Sequence, residues 1–397
     1  MMHYEGRDKE VAMSHQSGTF TRRGFLIASG TAAAGVGLLR RPAVGQQPAS
    51  PPPPLGKEKL LVRSSRPVNL ETRLADLTDY QTPEPLFFVR NNYDAQPIDP
   101  AQWSLKIEGE VDNPVVLRLA DLKRLPTITQ DVTLECAGNG RAFHKPRASG
   151  IQWEQGAVGN ARWSGVRLAD VLTLARLRPA GRHVAFNGSD GPPTPQAPDF
   201  IRSIPRWKAL EPHTMIALEM NGKPLPHLHG GPARVVVPGF VGSASMKWLE
   251  QITALTDEFN GFYMKSNYTA PRADNEKEVY SLQSVEVKSL IVAPADGSKL
   301  PRGRTTVWGW AWAGEGELTG IDVSPDGGQS WMAGRFVGTW DRYSWRKWEH
   351  EWDASPGSHT VMARATDSLG RVQPTSRVFN RLGYRWNVIH AIKLDVA

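Results

Sequence analysis

Cysteine is nearly absent from this 397-residue chain, which has one, Cys136. A single thiol excludes an internal disulfide in any compartment, a CxxCH haem attachment and any cluster held by four thiolates. A metal bound here uses one thiolate plus ligands that the protein does not supply, or no thiolate at all. An apolar run long enough to span a bilayer is also missing: Ala28–Leu39 is short and rich in Gly and Ala. No block of one charge sign occurs, and no basic stripe interleaved with aromatics, which argues against a nucleic-acid partner. Part of the formal charge of +7 lies in the first 45 residues, where six Lys and Arg face three acids. Without them 41 basic residues face 37 acidic ones, or +4. That mild surplus suits a small anion.

Tryptophan is what the chain has in excess. Of 14, nine fall between Trp308 and Trp386, which points to a β-rich module there rather than to chemistry. Apolar runs recur at Val285–Val292, Thr305–Ala313, Leu318–Val323, Trp331–Val337 and His359–Thr366. Turn signals at Asp326-Gly327-Gly328 and Ser368-Leu369-Gly370 separate some of them, and no helical stretch intervenes. This pattern predicts an immunoglobulin-like β-sandwich over 285–397. Residues 60–265 mix signals. Ser104–Val111 alternates as a strand, Arg167–Leu177 has the spacing of a short amphipathic helix, and Arg234–Val237 is a buried strand. The fold class expected is α+β followed by the sandwich. Polar residues 266–284 form the linker between the two domains, and residues 46–59, with four consecutive prolines, form a linker before them.

Residues 1–45 read as an export signal. Thr21-Arg22-Arg23-Gly24-Phe25-Leu26-Ile27 is a twin-arginine pattern, followed by the modest apolar run and by Ala43-Val44-Gly45 for cleavage. That route carries folded proteins, as a chain that acquires its cofactor in the cytoplasm requires. The mature protein is expected in the periplasm, without a membrane span.

Thr133-Leu134-Glu135-Cys136-Ala137-Gly138-Asn139-Gly140-Arg141 puts a thiol at a strand end. Gly138 and Gly140 then allow something bulky to approach the backbone. A nearby arginine favours the thiolate, the metal-binding form. These residues alone leave two readings open, a metal ligand and a buried structural cysteine.

The Cys136–Asn139 run, Gly159–Leu172, Phe200–Pro205, Glu219–Gly222, His229–Gly239 and Met246–Leu249 resemble, in order, the cofactor domain of the sulfite oxidase family. Val307–Ala313 and Ser324–Trp331 resemble that family's dimerisation domain. The resemblance implies molybdenum held by the two dithiolene sulfurs of one molybdopterin, by Cys136 and by oxygen ligands. Matching positions make Phe88, Arg90, Asn91, Asp190, His229, Arg234, Ser245 and Lys247 pterin contacts. Arg90 and Arg141 take the place of anion-binding arginines, and Trp153 that of a pocket wall. His227 has no counterpart and reads as structural. Asn92, Gly140 and Leu218 depart from the pattern, Leu218 standing where an active-site tyrosine is expected.

The implied activity is oxidation of sulfite or a related sulfur oxyanion, with no haem in this chain. Electrons pass to a separate acceptor, for which a c-type cytochrome is the natural choice, and the sandwich makes a homodimer. The alternatives are a sulfane dehydrogenase-type enzyme, a reductase of S-oxides, and a cofactor-free periplasmic anion-binding protein.

Overall fold

The computed structural model describes residues 54, 56–272, 275, 277–377 and 380–397. The twin-arginine segment, its cleavage site and most of the proline-rich linker lie outside them.

Two five-stranded sheets build the first half. One contains, in order, Lys223–Pro224, Met215–Met220, Val158–Arg167 and Thr127–Glu135, with Arg234–Val236 also pairing with Met215–Met220. The other runs Val115–Arg118, Ser104–Gly109, Leu249–Leu255, His183–Gly188 and Arg202–Pro205. Alternation explains the second sheet: Leu105 and Ile107 point inward while Lys106 is exposed. They meet Phe186, Ile252, Val166 and Ile216 in the main core.

Strands dominate this half, so the α+β expectation is corrected to a mostly β domain. Its α-helices have four or seven residues. The helix expected at 167–177 is Leu168–Leu174, with Leu168, Val171 and Leu172 buried. Arg176, at φ 54°, breaks it before Leu177.

The stretch read as a linker holds a hairpin, Thr269–Pro271 paired with Val279–Ser281. Beyond it, two sheets face each other. One is Lys288–Ala293, Gly303–Trp312, Arg346–Ala354 and Arg335–Val337; the other is Lys299–Leu300, His390–Val396, Gly357–Asp367, Leu318–Ser324 and Met332–Ala333. Ile291 and Val307 of the first pack with Val323, Val361, Ile392 and Leu394 of the second. The tryptophans divide between two tasks. Trp348 and Trp352 fill the sandwich, whereas Trp310, Trp312 and Trp345 join the main core of the first half. Their indole N–H groups donate across the seam, Trp310 to Leu77 O and Trp345 to Tyr80 O. No helix among the described residues is long and apolar enough to cross a membrane.

Candidate active site

The strand Thr127–Glu135 ends inside the molecule, and the chain turns immediately after it. Cys136 donates its N–H to Ala157 O at 2.9 Å, and its carbonyl accepts Asn139 N–H at 2.9 Å, which closes the turn. The thiol is nearly sealed, at 7% exposure, and lines a cleft. The same cleft is lined by Phe88, Arg90, Asn91, Asp190, His229, Arg234, Ser245 and Lys247, so every proposed pterin contact converges on the cysteine. Among the described residues no three His, Cys, Asp or Glu side chains form a metal cluster. A metal at Cys136 therefore takes its other ligands from a non-protein group.

The cleft is built to receive negative charge. Arg234 donates to His229 O and Ser245 O, both at 2.9 Å, with its guanidinium 5.1 Å from the Trp163 ring centre. Burial lowers its pKa to about 9. Lys247 donates to Asn91 Oδ1 and to Leu228 O, and lies 4.1 Å from the Trp248 ring centre. Burial first, then the Arg234 charge, holds the ammonium well below the usual lysine range, while Asp190 pulls it up. Asp190 is itself pushed above the usual carboxylate range by burial, against the pull of Lys247. Ser245 Oγ accepts the Val237 N–H at 3.0 Å, which fixes the loop that carries it. Arg90 donates to Asn91 O, to Asn92 Oδ1 at 2.6 Å and to the Tyr268 hydroxyl at 3.2 Å. Arg90, Arg234 and Lys247 thus face one buried carboxylate and are otherwise held by neutral oxygens. Desolvated cations in that state gain most from an anionic ligand. A phosphate-bearing pterin fits this donor set, and the lone thiolate suits a soft metal bound beside it.

Two expected pocket residues lie behind the cleft. Arg141 is buried, with Nε donating to Leu382 O and Nη1 to Ile151 O, both at 3.0 Å. Its guanidinium sits 4.7 Å from the Tyr384 ring centre. Trp153 is fully buried in the cluster that also holds Phe87, Phe88 and Cys136, so it backs the thiol rather than forming a wall. Packing against that cluster leaves the indole no exposed surface with which to line the cleft.

The departures resolve differently. Gly140, at φ 92°, has no room for a side chain: a Cβ would lie 2.3 Å from Trp386 Cδ1. Asn92 Oδ1 accepts both Arg90 and the Tyr268 hydroxyl. The reading of Leu218 is corrected. Leu218 sits on Met215–Met220 and borders a separate surface depression with Pro97 and Lys123. The phenol that faces the cleft is Tyr268. No local pattern marks it, because it belongs to a polar stretch that reads as a linker. Tyr384, stacked on Tyr268 at 5.2 Å, and Lys57, bonded to His229, were equally invisible in sequence. His227 is structural as expected: its Nε2 meets Ala95 O at 3.1 Å and its ring packs on Trp248.

Residues 92–263 match the oxidoreductase molybdopterin binding domain family, and residues 279–397 the Mo-co oxidoreductase dimerisation domain. The sulfite oxidase of Gallus gallus is 36% identical over 340 residues, covering 80% of this chain and 73% of its own length. That of Arabidopsis thaliana is 33% identical over 346 residues, covering 79% of this chain and 88% of its own. The crystal structure of the sulfane dehydrogenase SoxCD from Paracoccus pantotrophus is similar with a TM-score of 0.73 at 27% identity, over 84% of this chain and 88% of that one.

Proposed function

The chain belongs to the sulfite oxidase family of molybdopterin oxidoreductases, and from that membership we propose that it oxidises sulfite or a related sulfur compound and hands the electrons to an external acceptor. When bound, the molybdenum cofactor supplies a two-electron acceptor able to exchange an oxygen atom with sulfur. The chain supplies the rest. Cys136 holds the metal, while Arg234, Lys247, Asn91, Ser245 and His229 hold the polar, anionic parts of the pterin. Arg90, fixed by Asn92 and Tyr268, keeps a positive charge beside the thiol and draws in an anion through a partly desolvated approach. Arg141 adds to that field from behind Tyr384.

The observation that carries the proposal is the single thiol at the edge of a cleft whose cations are held mainly by neutral oxygens. A sulfane dehydrogenase-type reaction is the second reading. It is favoured by the likeness to SoxCD and by the aromatic lining from Phe200 and Tyr268, which suits a polarisable sulfur atom better than a fully charged oxyanion.

The mature protein is proposed to work in the periplasm after twin-arginine export, with a c-type cytochrome as acceptor. The sandwich is proposed to be immunoglobulin-like and to pair two copies. Without the two-residue strands, its seven strands order as 1-2-5-4 and 7-6-3, the arrangement of such modules.

Protein purified from a molybdenum-replete host should hold about one molybdenum and one pterin per chain and reduce ferricyanide or cytochrome c with sulfite. Absence of both metal and pterin would favour the cofactor-free anion binder. Molybdenum without sulfite turnover would favour a sulfane or S-oxide substrate. Cys136→Ser should abolish turnover with the circular dichroism unchanged; full activity in that variant would remove the ligand assignment.

A further inference from the structure

His229 lines the cleft from a short turn, His227–His229, and is 2% exposed. Its Nε2 does not face the cleft. It lies 2.9 Å from the ammonium of Lys57, a residue that precedes the first strand, Leu61–Ser65. Lys57 is as buried as His229 and has three N–H bonds to place. Besides His229 Nε2 it reaches Glu84 Oε1 at 2.8 Å and the Glu84 carbonyl. The Phe87 carbonyl, at 3.4 Å, is a fourth and longest neighbour. The three shorter contacts take the three donors, and an ammonium, having no lone pair, meets Nε2 at 2.9 Å only by donating to it. Glu84 Oε1, 3.3 Å from the same nitrogen, serves as the counter-charge that keeps Lys57 an ammonium. Burial keeps the ring neutral, with a pKa of about 3. A neutral ring whose Nε2 accepts carries its proton on Nδ1. Among the described residues Nδ1 has no hydrogen bond, and it is not sealed in protein.

We infer that Lys57 and Glu84 lock His229 in the Nδ1–H form and so make it a fixed hydrogen-bond donor toward an acceptor group of the pterin. This rests on the molybdopterin reading. Lys57 touches no cofactor in this scheme; it is a positioning residue acting through His229. The segment that carries it is anchored by Leu60, which packs with Leu70 and Val89 and against Leu228 beside His229. The backbone closes the turn through Leu60 N–H to Lys57 O at 3.0 Å. The N-terminal segment therefore completes the cofactor site from behind.

The test uses the full chain. Imidazole 15N shifts, with His229 assigned by its loss in a His229→Asn variant, should give the Nδ1–H tautomer in wild type. An Nε2–H tautomer would overturn the inference, and this readout needs no cofactor. Lys57→Met frees Nε2 to donate to Glu84, so it should shift the ring to Nε2–H. It should also speed molybdenum and pterin loss during gel filtration by about tenfold or more, the usual scale for removing a partner behind a ligand. His229→Asn, whose amide N–H falls near Nδ1, should retain the cofactor better than His229→Gln, whose amide falls near Nε2. Equal loss from wild type and Lys57→Met, with the same tautomer in both, would leave Lys57 a structural ion pair and end the proposal. Wild-type protein without molybdenum or pterin would end it too, by removing the group the donor serves; that failure of the functional reading is told apart by the metal count alone.

Discussion

Tyr268 sits at φ 51°, a backbone region that a bulky side chain enters only when its surroundings hold it there. Its carbonyl accepts Leu282 N–H at 2.7 Å, and its N–H donates to Asn267 Oδ1 at 2.8 Å. The Arg202 guanidinium stands 5.4 Å from its ring centre, fixed in turn by the carbonyls of Tyr263 and Leu282. So placed, the hydroxyl accepts Arg90 Nη2 and donates to Asn92 Oδ1, both at 3.2 Å. Tyr268→Phe deletes that bridge and leaves Arg90 one acceptor short beside the thiol. The loss should lie near 1–2 kcal/mol, or about 5- to 30-fold in kcat/KM for the sulfur substrate, most of it in KM. Leu218→Tyr should leave both constants unchanged, because its side chain lies away from the cleft. Steady-state rates on the two variants decide the matter, and an inert Tyr268→Phe would remove the phenol from the active site.

The turn after Thr127–Glu135 works as a unit with two glycines from elsewhere in the chain. The small residues after Cys136 make room, as the sequence suggests, but what they admit is the chain's own side chains. A Cβ on Gly138 would lie 2.7 Å from the Arg141 guanidinium, and one on Gly140 would strike Trp386. Gly150 and Gly383 close the other sides of the same slot, where an added Cβ would lie 3.1 and 2.8 Å from Arg141. The guanidinium cannot swing away without losing Leu382 O and Ile151 O. Gly138→Ala should therefore cost about 1–3 kcal/mol, read as a lower urea midpoint, whereas Gly191→Ala, with nothing near its Cβ, should shift it little. The elements themselves were legible unevenly. Strands such as Ser104–Gly109 announce themselves through alternation. Arg346–Ala354 hides because His350 interrupts its apolar face between Trp348 and Trp352, while Lys347, Glu349 and Glu351 alternate on the other face as a strand requires. His390–Val396 has a clear period of two, with Ile392, Leu394 and Val396 inward, but the irregular segment before it masks where the strand begins. Among the residues that line the cleft, His229, Arg234 and Lys247 are readable because they fall in ordered local motifs. Tyr268 is not, nor are Tyr384 and Lys57 behind it and His229, since distant pairing alone brings them there.

At the scale of the whole molecule, the two halves are joined by buried charge at the residue next to Cys136. Glu135 ends the cysteine strand, and Lys288 opens the first strand of the sandwich; they meet at 3.0 Å with Lys288 1% exposed. Asn139 Nδ2 and Trp312 Nε1 also donate to the Glu135 carboxylate, at 2.9 and 2.8 Å. A second cross-seam pair, Lys208 with Glu315 at 2.9 Å, is buried on the lysine side. Lys288→Met leaves the Glu135 charge sealed with two neutral donors, and such a half-broken pair costs about 3–5 kcal/mol. Adding Glu135→Gln to it removes the stranded charge while its one amide oxygen still accepts from either Trp312 or Asn139, so the double variant should recover part of that loss. Urea unfolding of the two single variants and the double one gives the coupling energy directly. If the pair holds the seam, the coupling exceeds about 1 kcal/mol and the single variants lose molybdenum faster than the double one, because the Cys136 turn moves with Glu135. A coupling within about 0.5 kcal/mol of zero would mean that the Glu135–Lys288 pair does not hold the seam.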